Sequence, residues 1–327
     1  MKNLLDRGSV ITALIGACIA AAPSFALAQA FPSKPVRIVV PFAPGGAVDT
    51  IARVIGEKMR EQMGQPVIVE NHPGASANIG AEIVAKAPAD GYTILLGANA
   101  LATNPTLFPK LAFNYTTDFA PIGRVGYAPV VLVVPTDSPY KSLKDLLAAA
   151  KKEPGRLTYA SAGNGSSNHL AGEMLKAAAA IDTLHVPYKG GAPALTDLLG
   201  GRINYMLLNP VEVLPHVKSG KVRALGVSND KRLAILPDVP TMSEAGLAGF
   251  EASVWWGFVA PVKTSHEAIV RLNAELNKAL ADPGVRTRLN DLGVMLTPST
   301  PEQLGGFLKS EVERWMKVIK TSNIQAD

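Results

Sequence analysis

Cysteine is almost absent from this chain: among its 327 residues, Cys18 is the only one. Because Cys18 lies inside a predicted export signal, the exported chain is expected to contain no cysteine. This excludes a disulfide, a thiolate nucleophile and a cysteine-ligated metal. The exported protein must therefore be stabilised by its hydrophobic core alone.

Long apolar runs and clusters of one charge are also scarce. Downstream of the signal no apolar run reaches about 18 residues, so the exported protein is expected to be soluble. Lys and Arg number 32 against 27 Asp and Glu, and the two signs are interspersed. The sequence contains no basic stripe or arginine-rich arm of the kind that binds nucleic acid. Membrane-spanning and nucleic-acid-binding proteins are therefore disfavoured.

No pattern for a metal or a cofactor is present. The five histidines are scattered without the spacing of metal ligands. They are His72, His169, His185, His216 and His266. Gly163-x-Gly165 has Asn168 where a dinucleotide-binding turn needs its third glycine. The sequence therefore predicts neither a metal site nor a cofactor.

The N-terminus has the three parts of an export signal. Lys2 and Arg7 give a basic start, residues 10–22 are almost entirely apolar, and 26–28 read Ala-Leu-Ala. This pattern predicts a signal peptide over residues 1–28 and a periplasmic protein. Residues 15–18 loosely resemble a lipoprotein processing site, but a small apolar signal residue is the favoured interpretation of Cys18.

The rest of the chain, about 300 residues, exceeds what one core usually fills, so two lobes are expected. Short β-branched runs alternate with amphipathic stretches, which is typical of parallel βα units. We predict an α/β fold with lobe 1 formed by residues 31–136 and 228–327 and lobe 2 by residues 137–227. Two Pro- and Ser-rich crossings, near residues 135–139 and 228–230, would form a hinge.

Two glycine-rich turns are the candidate ligand-binding segments, one in each predicted lobe. The first, residues 41–49, reads PFAPGGAVD, and the second, residues 161–169, reads SAGNGSSNH. Each follows a predicted strand and opens a helix, where free N–H groups and the helix dipole favour an anion. Two facing turns would grip a carboxylate from both sides. A tight turn without a ligand is the alternative for either one.

Eight segments in sequence order carry a family resemblance. They are PFAPGGAVD at 41–49, GYTIL at 91–95, NP at 104–105, SAGNGSSNHL at 161–170, VPYKGG at 186–191, GKVRAL at 220–225, LPDVPT with EAG at 236–246, and WG at 256–257. Together they resemble the Bug receptors of tripartite tricarboxylate transporters.

The resemblance implies a two-lobed periplasmic binding protein of type II topology with a hinged cleft. It further implies a monomer without enzymatic activity that binds a small carboxylate for membrane transporter subunits. The ligand-binding residues that it implies are Ala43, Pro44, Gly45, Gly46 and Asp49 in lobe 1, and Ser161, Gly163, Ser166 and His169 in lobe 2, with Asn99 and Tyr188 as further contributors. Asp49 is expected to fix the turn, because a second negative charge would repel the ligand.

One position departs from the family pattern. Many relatives carry an acidic residue at the end of the strand that here reads Met206-Leu207-Leu208-Asn209. Without that carboxylate, amino-acid and amide ligands are disfavoured.

Two other functions stay open from the sequence. In a serine hydrolase Ser166 and His169 would be paired, but the flanking residues lack the glycine-x-serine-x-glycine elbow. Alternatively, the receptor could deliver its ligand to a signalling system rather than a transporter. The sequence does not distinguish these two destinations.

Overall fold

The computed structural model describes residues 31–321 and 324–326. The predicted export signal and Cys18 lie outside the described residues. The described chain from Lys34 onward belongs to one compact unit. Within it, no helix has both the length and the apolar character needed to cross a membrane.

Short strands alternate with helices along the described chain. The strands are β1 Val36–Val40, β2 Val67–Asn71, β3 Thr93–Gly97, β4 Phe119–Pro129, β5 Val131–Pro135, β6 Thr158–Ser161, β7 Leu184–Pro187, β8 Tyr205–Leu208, β9 Val222–Val227, β10 Ser253–Pro261 and β11 Met295–Leu296. The helices are α1 Ala47–Met63, α2 Asn78–Ala85, α3 Ala100–Leu107, α4 Leu143–Lys152, α5 Ser167–Ala179, α6 Gly191–Leu199, α7 Pro210–Lys218, α8 His266–Ala281, α9 Pro283–Asp291 and α10 Pro301–Thr321.

The strands form two sheets with one topological plan. The first sheet has the order β11-β4-β10-β3-β1-β2, and the second has the order β7-β6-β8-β5-β9. In the first, β1 runs parallel to β2 and β3, and β10 is antiparallel to β3 and β4. In the second, β6 runs parallel to β7 and β8, and β5 is antiparallel to β8 and β9. In each sheet the first strand after the chain changes sheet, β5 or β10, is antiparallel to both of its neighbours.

This pair of sheets confirms the predicted two-lobed α/β fold of type II topology. The expected crossings differ in position, because β5 pairs within the second sheet although the sequence placed residues up to 136 in lobe 1. Residues between β9 and β10 also pack on the second sheet, among them Leu236 and Phe250. We therefore propose lobe boundaries at Val130 and Ala252. The Pro- and Ser-rich residues 135–139 instead connect β5 to α4.

The central strands β5 and β8 of the second sheet are buried on both faces. Along β5, Leu132 and Val134 belong to one apolar cluster, whereas Val131 and Val133 belong to another. This alternation is the period of two expected of a strand. Every residue of β5 is buried, so its position between β8 and β9 anchors the crossing chain in the lobe core.

One serine joins the segments that cross between the sheets. Ser228, which is 4% exposed, accepts a hydrogen bond from the Val130 N–H at 2.8 Å through its hydroxyl oxygen. The same hydroxyl lies 2.5 Å from the carbonyl oxygen of Ala252, to which it can donate. The backbone N–H of Ser228 donates to the Val130 carbonyl at 2.9 Å. The two proposed crossing points are thus held together at a single side chain.

Candidate functional site

Five helix N-termini meet at one cavity of about 30 Å³ between the two sheets. The end residues that line it are Gly46 and Ala47 at α1, Asn99 and Ala100 at α3, Ser166 and Ser167 at α5, Gly191 at α6, and Asn209 at α7. Each such end has unpaired N–H groups and a partial positive charge of about half an elementary charge. Five ends around one small volume therefore favour an anion.

The remaining wall of the cavity is largely apolar. Phe42, Val48, Val254 and Trp256 contribute to it. Among the described residues that line the cavity, none is Lys, Arg or His, and Glu212 is the one ionisable side chain. The positive potential of the site thus comes from backbone amides and helix dipoles.

The turn before α1 is shaped by its own backbone and by Asp49. Gly45 has a φ of +82°, a conformation that strongly favours glycine, and its N–H donates to Asp49 Oδ2 at 3.0 Å. Burial opposes the ionisation of Asp49, but hydrogen bonds from Arg53, Gly45 and Asn71 outweigh it and hold its pKa below the usual value. The carboxylate of Asp49 is therefore engaged with the turn. Gly46 caps α1 without a side chain, so no cap side chain occupies the first amides of the helix.

The turn before α5 is held by side chains that face the protein interior. Ser161 is fully buried, and its Oγ lies 2.7 Å from His185 Nε2 and accepts from the Gly163 N–H at 3.1 Å. His169 Nδ1 accepts from the Gly165 N–H at 3.1 Å, and burial lowers the pKa of His169 to about 3, so its ring is neutral. These contacts fix the loop that presents Ser166 to the cavity.

The two lobes touch directly beside the cavity. The Ala43 N–H in the first turn donates to the Lys189 carbonyl at 3.1 Å. Thr103 Oγ1 on α3 donates to the Gly165 carbonyl at 2.8 Å. Gly165 has a φ of +75°, and a Cβ there would lie 2.5 Å from Asn104 Oδ1, so only glycine permits this approach. The lobes are thus in contact on two sides of the site.

The structure separates the residues expected to bind the ligand into two groups. Gly46, Asn99 and Ser166 line the cavity. Eight others do not line it and belong to the surrounding turns: Ala43, Pro44, Gly45, Asp49, Ser161, Gly163, His169 and Tyr188. The Tyr188 hydroxyl donates to Asp197 Oδ2 at 2.6 Å, and burial together with that acceptor raises the pKa of Tyr188 to about 12. Pro44 and Gly45 are exposed.

Asn99 joins α3 to the strand that returns from the second lobe. Its Nδ2 donates to the Ser253 carbonyl at 3.2 Å, and its Oδ1 accepts from the Trp255 N–H at 3.3 Å. Successive residues of β10 face opposite sides, as in any strand. Trp255 accordingly packs edge-on against Phe307 in the core, whereas Trp256 lines the cavity.

Trp256 has a polar atom that needs a partner. The side chain is fully buried, and its indole Nε1 makes no hydrogen bond. A buried N–H without an acceptor is destabilising by roughly 1–3 kcal/mol. Since Trp256 lines the cavity, this donor is a candidate contact for an anionic ligand.

Glu212, on the first turn of α7, was not predicted as a site residue. Its Oε1 accepts from the Ala47 N–H of α1 at 3.3 Å, and its Oε2 accepts from Asn209 Nδ2 at 2.6 Å. It is partly exposed, at the surface of the cavity that it lines. Burial raises its pKa to about 7, although the hydrogen bonds from Ala47 and Asn209 oppose that rise.

Neither a metal centre nor a nucleophile–base pair forms at the cavity. In the described part of the chain, no three or more His, Cys, Asp and Glu side chains group as metal ligands do. Ser166 Oγ accepts from the backbone N–H of His169 at 3.4 Å, while the ring Nδ1 of His169 accepts from Gly165. Ser166 and His169 are therefore not arranged as nucleophile and base.

Two lobes that each direct helix N-termini to a shared cavity define a solute-binding protein of the periplasmic type. The chain belongs to the receptors of the tripartite tricarboxylate transporter family, whose family model matches residues 51–324. Two relatives support this assignment along nearly the whole chain. A UPF0065 protein from the tcbD-tcbE intergenic region of Pseudomonas sp. (strain P51) is 44% identical, with 96% of this chain and 95% of the relative covered. BugT of Bordetella pertussis is 38% identical, with 95% of this chain and 96% of BugT covered.

Solved structures confirm the fold and the family. The periplasmic binding protein BugD is 38% identical with a TM-score of 0.87, and the match covers 90% of this chain and 99% of BugD. MatC from Rhodopseudomonas palustris, with bound malate, is 36% identical with a TM-score of 0.84, covering 88% and 100%. R. palustris Rpa4515 with adipate is 34% identical with a TM-score of 0.87, covering 90% and 99%. The expectation of a Bug-type receptor is thereby confirmed.

Proposed function

We propose that this protein captures a small carboxylate in the periplasm, as a monomer, and delivers it to tripartite tricarboxylate transporter subunits. The observation that carries the proposal is the convergence of five helix N-termini on a cavity lined by no Lys or Arg. Such a site favours an anion small enough to contact several backbone amides together. Trp256, whose buried indole N–H has no partner, lines the same cavity.

The proposed grip uses both lobes. Ala47 N–H at α1 and the amides behind Ser166 at α5 would hold carboxylate oxygens from opposite sides. A hydrogen bond to a charged group contributes roughly 1.5–3 kcal/mol, so a few of them are enough for micromolar affinity. The malate and adipate held by two relatives are dicarboxylates, which supports this ligand class.

A binding role rather than an enzymatic one agrees with the geometry of the second turn. Ser161, which does contact a histidine ring, is fully buried and does not line the cavity. Ser166, which lines the cavity, has no ring nitrogen as its partner. We therefore assign no catalytic residue.

A ligand screen tests the function. The exported protein should show a raised melting temperature with malate, succinate or adipate, and calorimetry should give one site per monomer. The corresponding dimethyl esters are matched controls, because they keep the carbon skeleton but lack the charge. Stabilisation by the esters as strong as by the acids would contradict an anion site, and so would the absence of any shift across di- and tricarboxylates.

A further inference from the structure

The carboxyl group of Glu212 occupies the N-terminus of α1, where the ligand carboxylate is proposed to bind. Oε1 lies 3.3 Å from the Ala47 nitrogen and accepts its hydrogen bond. The same oxygen would lie 3.2 Å from a Cβ built on Gly46. A ligand oxygen that accepts from the first amides of α1 would therefore have to lie against a carboxyl group of the protein.

Glu212 is held in this place by Asn209 and by the start of α6. Asn209 binds Oε2 at 2.6 Å, and the Asn209 Oδ1 accepts from the Glu212 N–H at 3.3 Å. The carboxyl group also lies directly over Gly191, since a Cβ there would be 1.9 Å from Oε1. Asn209 and α6 thus keep the carboxyl group at the cavity, and the ligand must share this space with it.

Two carboxylates on the neighbouring elements are already paired with arginines. On α1, Asp49 pairs with Arg53, and on α6, Asp197 pairs with Arg202. On α7 itself, burial lowers the pKa of His216 below its usual value, which favours the neutral ring. Lys189 precedes α6, and its carbonyl accepts from Ala43 across the lobes. No described cation lines the cavity to compensate two carboxylates.

From this geometry, and resting on the proposed function, we propose that Glu212 is a specificity-determining residue that shares one proton with the ligand carboxylate. Two carboxylates side by side repel, and such pairs retain a proton between them. The neutral carboxyl group then donates its O–H to the ligand oxygen, while the α1 amides bind the negative charge. The proton comes from solvent when the ligand binds above the pKa of Glu212.

The direction of the pH effect follows from the environment of Glu212. Burial raises its pKa from 4.5 to about 7 in this structure. Glu212 is therefore largely neutral below about pH 7 and largely ionised above it, so a bound carboxylate must take up a proton on the alkaline side. Ligand binding should therefore weaken on the alkaline side, by about tenfold per pH unit when one proton is taken up.

Calorimetry with malate, succinate and adipate as probes tests whether binding takes up a proton. At about pH 8.5 the wild type should take up close to one proton per bound dicarboxylate, measured from the buffer dependence of the binding heat. Glu212→Gln keeps the shape and a hydrogen-bond donor, so it should bind with little pH dependence and about tenfold or more tighter than the wild type at that pH. Glu275→Gln is the matched control, because Glu275 is a buried glutamate on α8 that does not line the cavity.

The outcomes distinguish a failure of the shared proton from a failure of the proposed function. Binding by the wild type without proton uptake, together with an unchanged Glu212→Gln, overturns the shared proton but leaves the proposed function standing. Loss of binding by a folded Glu212→Gln variant also overturns the shared proton. In that case Glu212 would accept a hydrogen bond from a donor on the ligand. Failure of all dicarboxylates to bind any variant overturns the proposed function and this inference together. Circular dichroism and the Glu212→Ala variant show whether the substitution disturbs folding.

Discussion

At Gly46 the backbone is extended, with φ −80° and ψ 176°, so other residues can adopt this conformation. Gly46 is also the N-cap of α1, a position that aspartate suits because its carboxylate accepts from the following amides. The Gly46→Asp substitution should therefore fold. Its side chain would bind the amides that the ligand needs and would add a negative charge beside Glu212, whose Oε1 lies 3.2 Å from a Cβ built on Gly46.

We expect Gly46→Asp to weaken dicarboxylate binding by about a hundredfold or more, since two hydrogen bonds to a charged group are lost. Calorimetry on the folded variant measures the effect. Lys189→Ala is the control, because Lys189 is exposed and contacts the first turn through its backbone carbonyl. If Lys189→Ala abolished binding and Gly46→Asp did not, a charged side chain rather than the amides would hold the ligand.

At the scale of elements, α7 contributes both a helix end and Glu212 to the site. Asn209 caps this helix by accepting from the Glu212 N–H. Ser142 caps α4 in the same way, by accepting from the Asp145 N–H at 3.2 Å, but it does not line the cavity. The two caps form a matched pair, one at the site and one away from it.

Asn209→Ala and Ser142→Ala should each lower the free energy of unfolding by about 1 kcal/mol, which urea denaturation measures. Only Asn209→Ala should also change dicarboxylate affinity, because it releases Oε2 of Glu212. Equal effects of both variants on affinity would mean that α7 acts through global stability and not at the site.

The two glycine turns at the site were predicted from the sequence, whereas helix α7 was not. The glycine turns before α1 and α5 were recognisable because Gly-rich segments between a strand and a helix have a known local geometry. Helix α7 was missed, although Asn209-Pro210-x-Glu212 combines a cap residue, a proline at the first helical position and a glutamate three residues on, which together indicate a helix start. Its short length and Pro215 obscured the helical period.

Contacts between segments far apart in the sequence could not be predicted from local patterns. Glu212 meets Ala47 across 165 positions of sequence. That β5 pairs in the second sheet depends on which neighbours it finds, and its fully apolar sequence suits a buried strand of either lobe. The side chain of Ser161 turns inward because His185, which lies on the next strand, offers it a partner.

At the scale of the whole molecule, the contact between the lobes can be locked covalently. A Cβ built on Gly45 would lie 3.9 Å from Cβ of Ala192, which is within the usual disulfide separation of about 3.5–4.5 Å. No cysteine occurs downstream of residue 30, so Gly45→Cys/Ala192→Cys would carry the one disulfide of that part of the chain. The positive φ at Gly45 makes the substitution destabilising by roughly 1–2 kcal/mol.

We expect the oxidised double variant to exclude malate and adipate, and reduction should restore binding. Calorimetry measures the binding, and small-angle scattering should show the oxidised form to be as compact as the wild type saturated with ligand. The two single cysteine variants control for the substitutions themselves. Equal binding of malate and adipate by the oxidised and reduced forms would contradict the need for the lobes to separate.

A cavity of about 30 Å³ has room for about two water molecules, whereas a dicarboxylate is larger. The arrangement with the lobes in contact and the arrangement that admits a ligand are therefore two states of one conformational equilibrium. When the binding-competent form is a fraction of the molecules, the apparent dissociation constant is the intrinsic constant divided by that fraction. The hydrogen bond from Thr103 to Gly165 stabilises the empty arrangement with the lobes in contact, so its loss should raise the fraction of molecules that can admit a ligand.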